Sequence, residues 1–497
     1  MNKKGRLVDM KRLIVIVFII FGVFLTFSLY RTFAYDTSVV EETPSTTDLE
    51  YTFKIGNSSI KQITVDSGET RYYDIVLGNP NNAKISYSVY YEMVSPSTKP
   101  DGFSMGYTSK STGTSTGKVD KNGNITLSIE ASNTSSSAVT VKIGTVAGYV
   151  NGGELTLGSG QVIIPKASVN AVELITKLND NTSGDSGSGV YKVEHSSIAA
   201  GSSATGSTIP AVTDYRYYGS NPNNYICLDM EGGSTCPDKH LYRIIGSIYE
   251  EKENTNRIKV IKATPLTDGT TSAFSWDYKV NNGSGSYDNI WATITSGDYS
   301  NSLTSGSQLM KLLNSGAWWN GTSGSYYNNS TTATTVNFTN YKLSDKAKSY
   351  ITTSRYYLGG YNNNPPITNE MYGHERGMLR YNTDRPLYWD GMVGLMYPSD
   401  YGYAAGNTCV TGTKLYDYKG GCMNKDWLYI SNTVQWLMSP HSGYYDVAFP
   451  VYSSGFVSNG YDVRNPFSTR PVFYLNSSAS ITNGDGSLNN PYLITLE

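Results

Sequence analysis

The residues with the clearest chemical potential are four cysteines in two close pairs, Cys227 with Cys236 and Cys409 with Cys422. In an oxidising exterior, close pairs form local disulfides, each worth about 2–3 kcal/mol for loops this short. A zinc site and free buried thiols are the alternatives, but the chain has no Cys-x-x-Cys. Bridges 227–236 and 409–422 are therefore expected. Four histidines occur, His195, His240, His374 and His441, with no H-E-x-x-H and no phosphate-binding G-x-x-x-x-G-K-[ST]. His374-Glu375 beside Arg376 and Arg380 is the densest charged group. A histidine next to a carboxylate can act as a general base, yet the same grouping reads as a surface ion pair. No enzyme is expected. Asn362, Asn363, Asn364, Asn369 and Glu370 form an oxygen-rich group that leaves calcium open as a cofactor, although Pro365-Pro366 divides it. Asp180 and Asp185 fit no calcium-loop spacing and read as part of a solvated linker.

These residues must be positioned by a long chain of unusual composition. Its 497 residues exceed one ordinary core, so two or three domains are expected. Only 16% are charged, whereas Tyr occurs 42 times and Gly 49 times. Residues 1–12 form a basic leader with Lys3, Lys4, Arg6, Lys11 and Arg12 against Asp9. Residues 13–30 are an uninterrupted apolar run that would extend about 27 Å as a helix, near the thickness of a bilayer core. Cationic flanks stay cytoplasmic, so the reading is a single-pass membrane protein with its C-terminus outside the cell. Thr32-Phe33-Ala34 offers a signal-cleavage alternative, which the length of the run and the following Arg31 disfavour. The leader's five cations and one acid add +4 to a formal total of −2, which leaves −6 on the exported part. Without clustered Lys and Arg, nucleic acid is excluded as a partner.

Beyond the apolar run, residues 31–50 read as a polar stalk. Residues 51–165 read as an all-β, immunoglobulin-like sandwich of about seven strands. Runs such as Ile60–Val65 and Ile85–Tyr91 alternate, and Lys121-Asn122-Gly123-Asn124 marks a hairpin. A ligand-binding or polymerising role competes there with a plain spacer, and the spacer is favoured. Residues 166–214 begin with a short helix and then become a flexible Gly/Ser linker. Residues 215–497 form an α+β head with strands at Tyr225–Leu228, Leu241–Gly246 and Arg257–Lys262. Helices are expected from Ser307 and from Ser344.

Three blocks of the head carry a resemblance: Leu241-Tyr242-Arg243-Ile244-Ile245-Gly246, Trp436-Leu437-Met438-Ser439-Pro440 and Thr469-Arg470-Pro471-Val472-Phe473-Tyr474-Leu475. They resemble bacterial surface domains with a W-L-R-S-P … G … R-P pattern, similar to the C-type-lectin-like group. That group includes formylglycine-generating-type enzymes and retroelement variable proteins. The likeness covers roughly 225–497, with Met438 standing where the pattern often has Arg. It implies that first and last strands pair and clasp long loops on one exposed face. It also implies that the stretch between His441 and Asn465 supplies ligand contacts from His441, Tyr444, Tyr445, Asp446, Tyr461, Asp462, Arg464 and Asn465. The residue types suit that role: Tyr gives large contact area at low rotamer cost, and an Arg can grip a carboxylate with two parallel bonds. Val447, Phe449, Val451, Phe456 and Val457 equally read as strand core. The expected function is an extracellular adhesin or binder of a protein or glycan ligand. The alternatives are a surface-layer or fibre subunit that packs against its own copies and, behind it, an extracellular enzyme.

Overall fold

The computed structural model describes residues 52–55 and 62–496, except 109, 151–154, 166, 168, 180–183, 185–186, 282–283 and 294–305. The basic leader, the apolar run 13–30, the stalk, Asp180 and Asp185 lie outside the described residues. Among the described residues no helix is long and apolar enough to cross a membrane. The chain is mostly β-sheet and divides into two compact units, Met1–Ala167 and Ser168–Glu497.

The first unit contains β1 (Thr52–Ile55), β2 (Gln62–Val65), β3 (Glu69–Gly78), β4 (Ile85–Ser95), β5 (Phe103–Tyr107), β6 (Thr116–Val119), β7 (Asn124–Asn133), β8 (Val139–Tyr149) and β9 (Gln161–Ile163). One sheet runs β1-β3-β7-β5; the other runs β2-β8-β4, with β6 and β9 both paired to β4. Period-2 alternation turns Tyr73, Ile75 and Leu77 of β3 inward beside Leu127, Ile129 and Ala131 of β7. They share one core with Val89 of β4 and Val141 and Ile143 of β8, so the two sheets form a β-sandwich. Asn122 takes φ +55° at the expected Asn-Gly turn, a left-handed conformation that Asn tolerates better than most residues. Buried Asn133 at the end of β7 donates to the carbonyls of Val65 at the end of β2 (2.8 Å) and of Ser137 in the loop that follows β7 (2.9 Å).

The second unit begins earlier than the sequence suggests. The described residues between 169 and 214 include regular elements where the sequence suggests a flexible linker. They contain β10 (Val169–Asn170), a helix at Ala171–Lys177, β11 (Gly189–His195) and, from Val212, β12 (Val212–Tyr218). Asn170 caps the helix, its Oδ1 accepting from the amides of Val172 (3.0 Å) and Glu173 (3.3 Å). All seven residues of β11 pair with β12, burying Val190, Tyr191 and Val193. Gly/Ser density suggests solvation, but the alternating Val190–His195 run is a strand whose inner face meets the head.

β13 (Tyr225–Cys227), β14 (Leu241–Glu250) and β15 (Thr255–Lys262) form the centre of the main sheet, with β12 also joined to β14. The pairing expected between Leu241–Ile245 and Val472–Leu475 is indirect, because β15 lies between them. The ends of the domain meet by other strands: Tyr492–Leu496 runs parallel to β13, and Ala479–Asn483 pairs with β10. The expected helices form at Gln308–Asn314 and Asp345–Ser349, capped by Ser307 and Ser344. Both expected disulfides form, with Cα–Cα distances of 5.8 Å for Cys227–Cys236 and 5.7 Å for Cys409–Cys422.

Candidate functional site

The stretch after Trp436 folds as a three-stranded sheet of Gln435–Pro440, Val447–Val451 and Tyr461–Asp462. Val447, Phe449 and Val451 alternate as a strand, and Phe449 and Val451 are fully buried, so the core reading holds for this part. Between the first two strands a tight turn lifts Gly443, Tyr444 and Tyr445 to the surface. Gly460 holds φ +122°, and a Cβ there would lie 2.2 Å from Val447 Cγ1. Only glycine lets the third strand approach so closely.

The turn is knotted by Asn289, which no sequence motif marks. Its buried Nδ2 lies within bonding distance of the carbonyls of His441 (3.1 Å), Tyr444 (2.9 Å) and Val447 (2.9 Å). Its backbone N–H donates to Tyr445 O (2.7 Å), and its Oδ1 accepts from Arg385 Nε (3.1 Å). Asn289→Ala would remove the side-chain donor shared by the His441 and Tyr444 carbonyls, while Val447 O keeps the His441 amide (2.9 Å), a loss of about 2 kcal/mol. The expected readout is a lower tryptophan-fluorescence midpoint together with faster proteolysis between Ser442 and Asp446. Unchanged proteolysis would remove Asn289 from this positioning role.

The eight candidate residues separate into different environments. His441 is buried; burial lowers its pKa, and its Nδ1 accepts from the amide of Gly443 (3.0 Å). Tyr461 and Asp462 are neighbours on a strand and point to opposite faces. Tyr461 stacks on Tyr452 with ring centres 5.9 Å apart, and Asp462 grips Arg464. Arg464 donates from Nε to both Asp462 oxygens (2.9 and 3.0 Å) and from Nη2 (2.5 Å), which raises its pKa. The fork expected to take an external carboxylate thus holds an internal one. Asn465 Nδ2 donates to Asp462 O (3.0 Å) and tightens the same turn. Asp446 is half-buried, and its charge, acting first, raises the Tyr445 phenol pKa.

Tertiary folding brings other rings to Tyr445, whereas the Tyr444 ring packs on its neighbour His441, 4.9 Å away. Tyr287 lies 6.4 Å from Tyr445 with near-parallel rings, and Tyr278 lies 6.3 Å beyond Tyr287 in the same sense. Tyr381 is 6.1 Å from Tyr445 on its other flank. The Arg464 guanidinium sits 4.1 Å over Tyr287, and Arg385 sits 5.7 Å over Tyr381. The result is a row of four tyrosines buttressed by two arginines, open to solvent around Tyr381, Tyr444 and Tyr445. No local pattern announces Tyr278, Tyr287 or Tyr381, since they come from segments far from Tyr445 along the chain.

The other sequence candidates fall elsewhere. Glu375 is fully buried and bonded to Ser399, so the surface ion-pair reading of His374-Glu375 is corrected; His374 instead stacks on Tyr361 at 4.2 Å. Asn362, Asn363 and Asn364 are exposed, whereas Asn369 Oδ1 accepts from Tyr403 Oη (2.8 Å). Among the described residues no group of three His, Cys, Asp or Glu side chains is placed to hold a metal ion. No protein-family model, no curated protein and no solved structure matches the chain.

Proposed function

We propose that this chain is a membrane-tethered extracellular binding protein or adhesin. Its immunoglobulin-like sandwich would act as a spacer, and its C-type-lectin-like head would capture a glycan or protein ligand. The observation that carries the reading is the exposure of three adjoining tyrosines: Tyr444 at 60%, Tyr445 at 45% and Tyr381 at 42%. Clustered aromatic surface of this kind is characteristic of interaction sites. Their mounting, through Asn289, Arg385 and the Asp462–Arg464 clasp, is far more elaborate than exposed decoration needs. The two disulfides suit an oxidising exterior.

The test is capture by the full-length chain on glycan and cell-surface protein arrays. Tyr381→Ala/Tyr444→Ala/Tyr445→Ala should lose capture at least about 100-fold while leaving thermal unfolding nearly unchanged. Full capture by the triple variant would refute the site.

One feature of the sandwich favours the fibre or surface-layer reading. Strand β9 exposes Val162 (48%) and Ile163 (41%), and among the described strands it pairs with β4 alone. An apolar edge of this kind templates further pairing. Under this reading, sedimentation would show assembly that grows with concentration and disappears in Val162→Lys. A monomer at all concentrations would exclude it.

A further inference from the structure

Below the aromatic row lies a cleft of about 530 Å³, within the size range of small-ligand sites. One wall is the Gln308–Asn314 helix and its C-cap, which present Gln308, Lys311, Leu312 and Ser315 at i, i+3, i+4 and i+7, the spacing of a single helical face. The facing wall is the strand Ser323–Tyr326. Here Ser323 and Ser325 are exposed and share one side, while Tyr326 turns into the core. Tyr278, the end ring of the row, closes the cleft on the side of Tyr287.

The charges in this cleft are one-sided. Its lining contains Lys279 and Lys311 and no Asp or Glu. Lys279 is engaged from behind, 3.1 Å from Asp277 and 3.7 Å from Asp288. Lys311 has no carboxylate within ion-pairing distance among the described residues. Gln308 is also occupied: its amide donates to Tyr327 O (2.6 Å) and accepts from Tyr327 N (3.1 Å), which fixes the two walls relative to each other. Asn320 is occupied as well, its Nδ2 donating to Ser315 O (2.6 Å), so what remains for a ligand is one ammonium and an aromatic end wall.

We infer that this cleft receives the acidic end of a carbohydrate chain, a sugar bearing a carboxylate, whose neighbouring rings continue along Tyr287, Tyr445 and Tyr381. This rests on the ligand-binding reading above and names the ligand's class. A single flexible ammonium suits one carboxylate; a phosphate dianion would call for a guanidinium fork or a nest of backbone N–H groups. Tyrosine rings match the apolar C–H faces of a sugar. The aromatic row and the cleft share Tyr278, so one extended molecule can engage both.

The experiment is calorimetric titration of the full-length chain in detergent with three acidic oligosaccharides: a galacturonate hexamer, a glucuronate-containing hexasaccharide and a sialylated trisaccharide. Each is paired with its methyl ester. At least one acid should bind, and its ester should bind about tenfold more weakly, the scale of one charge-assisted hydrogen bond. Lys311→Met keeps the aliphatic stem on the helix and should weaken the acid about tenfold while leaving the ester unaffected. Tyr445→Ala should weaken both. Equal affinity of acid and ester, an unaffected Lys311→Met, or no binding of any acid at about 10 mM would overturn the inference. If Tyr445→Ala alone weakens binding, the tyrosine face stands and the cleft assignment falls. If Lys311→Met alone does so, the cleft binds acid but the extension along the row, and the face reading with it, fails. Tryptophan-fluorescence unfolding of each variant confirms that the fold is retained.

Discussion

Replacing Asp400 with Asn is expected to destabilise the second unit by about 3–5 kcal/mol, the usual cost of removing one partner from a buried ion pair. Asp400 Oδ1 accepts from Arg216 Nη1 (2.9 Å), and Oδ2 accepts from Lys259 Nζ (2.5 Å) and from the amide of Tyr397 (3.0 Å). Arg216 reaches on to Asp214 through Nε (3.1 Å) and Nη2 (2.7 Å), and Asp214 also holds His195 Nε2 at 2.9 Å. All these side chains are buried. Two cations therefore balance two carboxylates among Asp214, Arg216, Lys259 and Asp400, in a region where water cannot screen an excess charge. A neutral amide in place of the Asp400 carboxylate would leave one positive charge uncompensated and weaken the acceptor that caps the Pro398–Ala404 helix. Tryptophan fluorescence reads this directly, because all seven tryptophans lie between Trp276 and Trp436, in the second unit. The urea midpoint should drop with the slope unchanged. Asp400→Asn/Lys259→Met restores charge balance and should lose less than the sum of its single variants. Strict additivity of the two would contradict the coupling.

The second large effect is on pH dependence. Glu375 is fully buried, and burial, opposed by Arg376 and by bonds from Ser399, raises its pKa from 4.5 to about 7. Its Oε1 accepts from the Ser399 amide (2.8 Å) and its Oε2 from the Ser399 hydroxyl (2.5 Å), while Arg376 Nη1 stands 3.3 Å away. A carboxyl that holds its proton more tightly when folded stabilises the fold fully below its unfolded pKa. That stabilisation is lost as pH rises from 4.5 through about 7. At about 1.4 kcal/mol per pH unit, the loss totals roughly 3 kcal/mol. Asp277, raised by burial to about 6, acts in the same sense, whereas buried His195, whose pKa burial lowers, acts in the opposite one. The difference between wild type and Glu375→Gln isolates the Glu375 contribution. That difference should be flat below about pH 4, change by about 3 kcal/mol in favour of the Gln variant by about pH 8, and be flat again above it. Parallel stability curves across the window would rule it out.

Much of the frame follows from local sequence rules. Alternation in Ile85–Tyr91 and in Arg257–Lys262, Asn122-Gly123 at a turn, and Ser307 and Ser344 as helix caps are all nearest-neighbour effects, and each appears in place. The two disulfides are equally accessible, because short loops make local pairing the cheapest connectivity. The segment 189–214 is not legible in the same way, because a strand's stability there depends on partners far along the chain: Val193 and His195 pack against Tyr372 and Tyr403.

For the proposed ligand face, the sequence by itself determined which residue types are present and that His441–Asn465 is rich in tyrosine. Only the tertiary structure decided which of them face outward. His441 and Tyr461 turn toward the fold, Arg464 is spent on Asp462, Tyr444 stays exposed, and Tyr445 gains Tyr287, Tyr381 and the cleft beside Tyr278. The physical reason is that strand and turn propensities are set by neighbours in the chain. A binding surface is set instead by which distant segments pack together, and here Asn289 joins them with one side-chain amide and its own backbone.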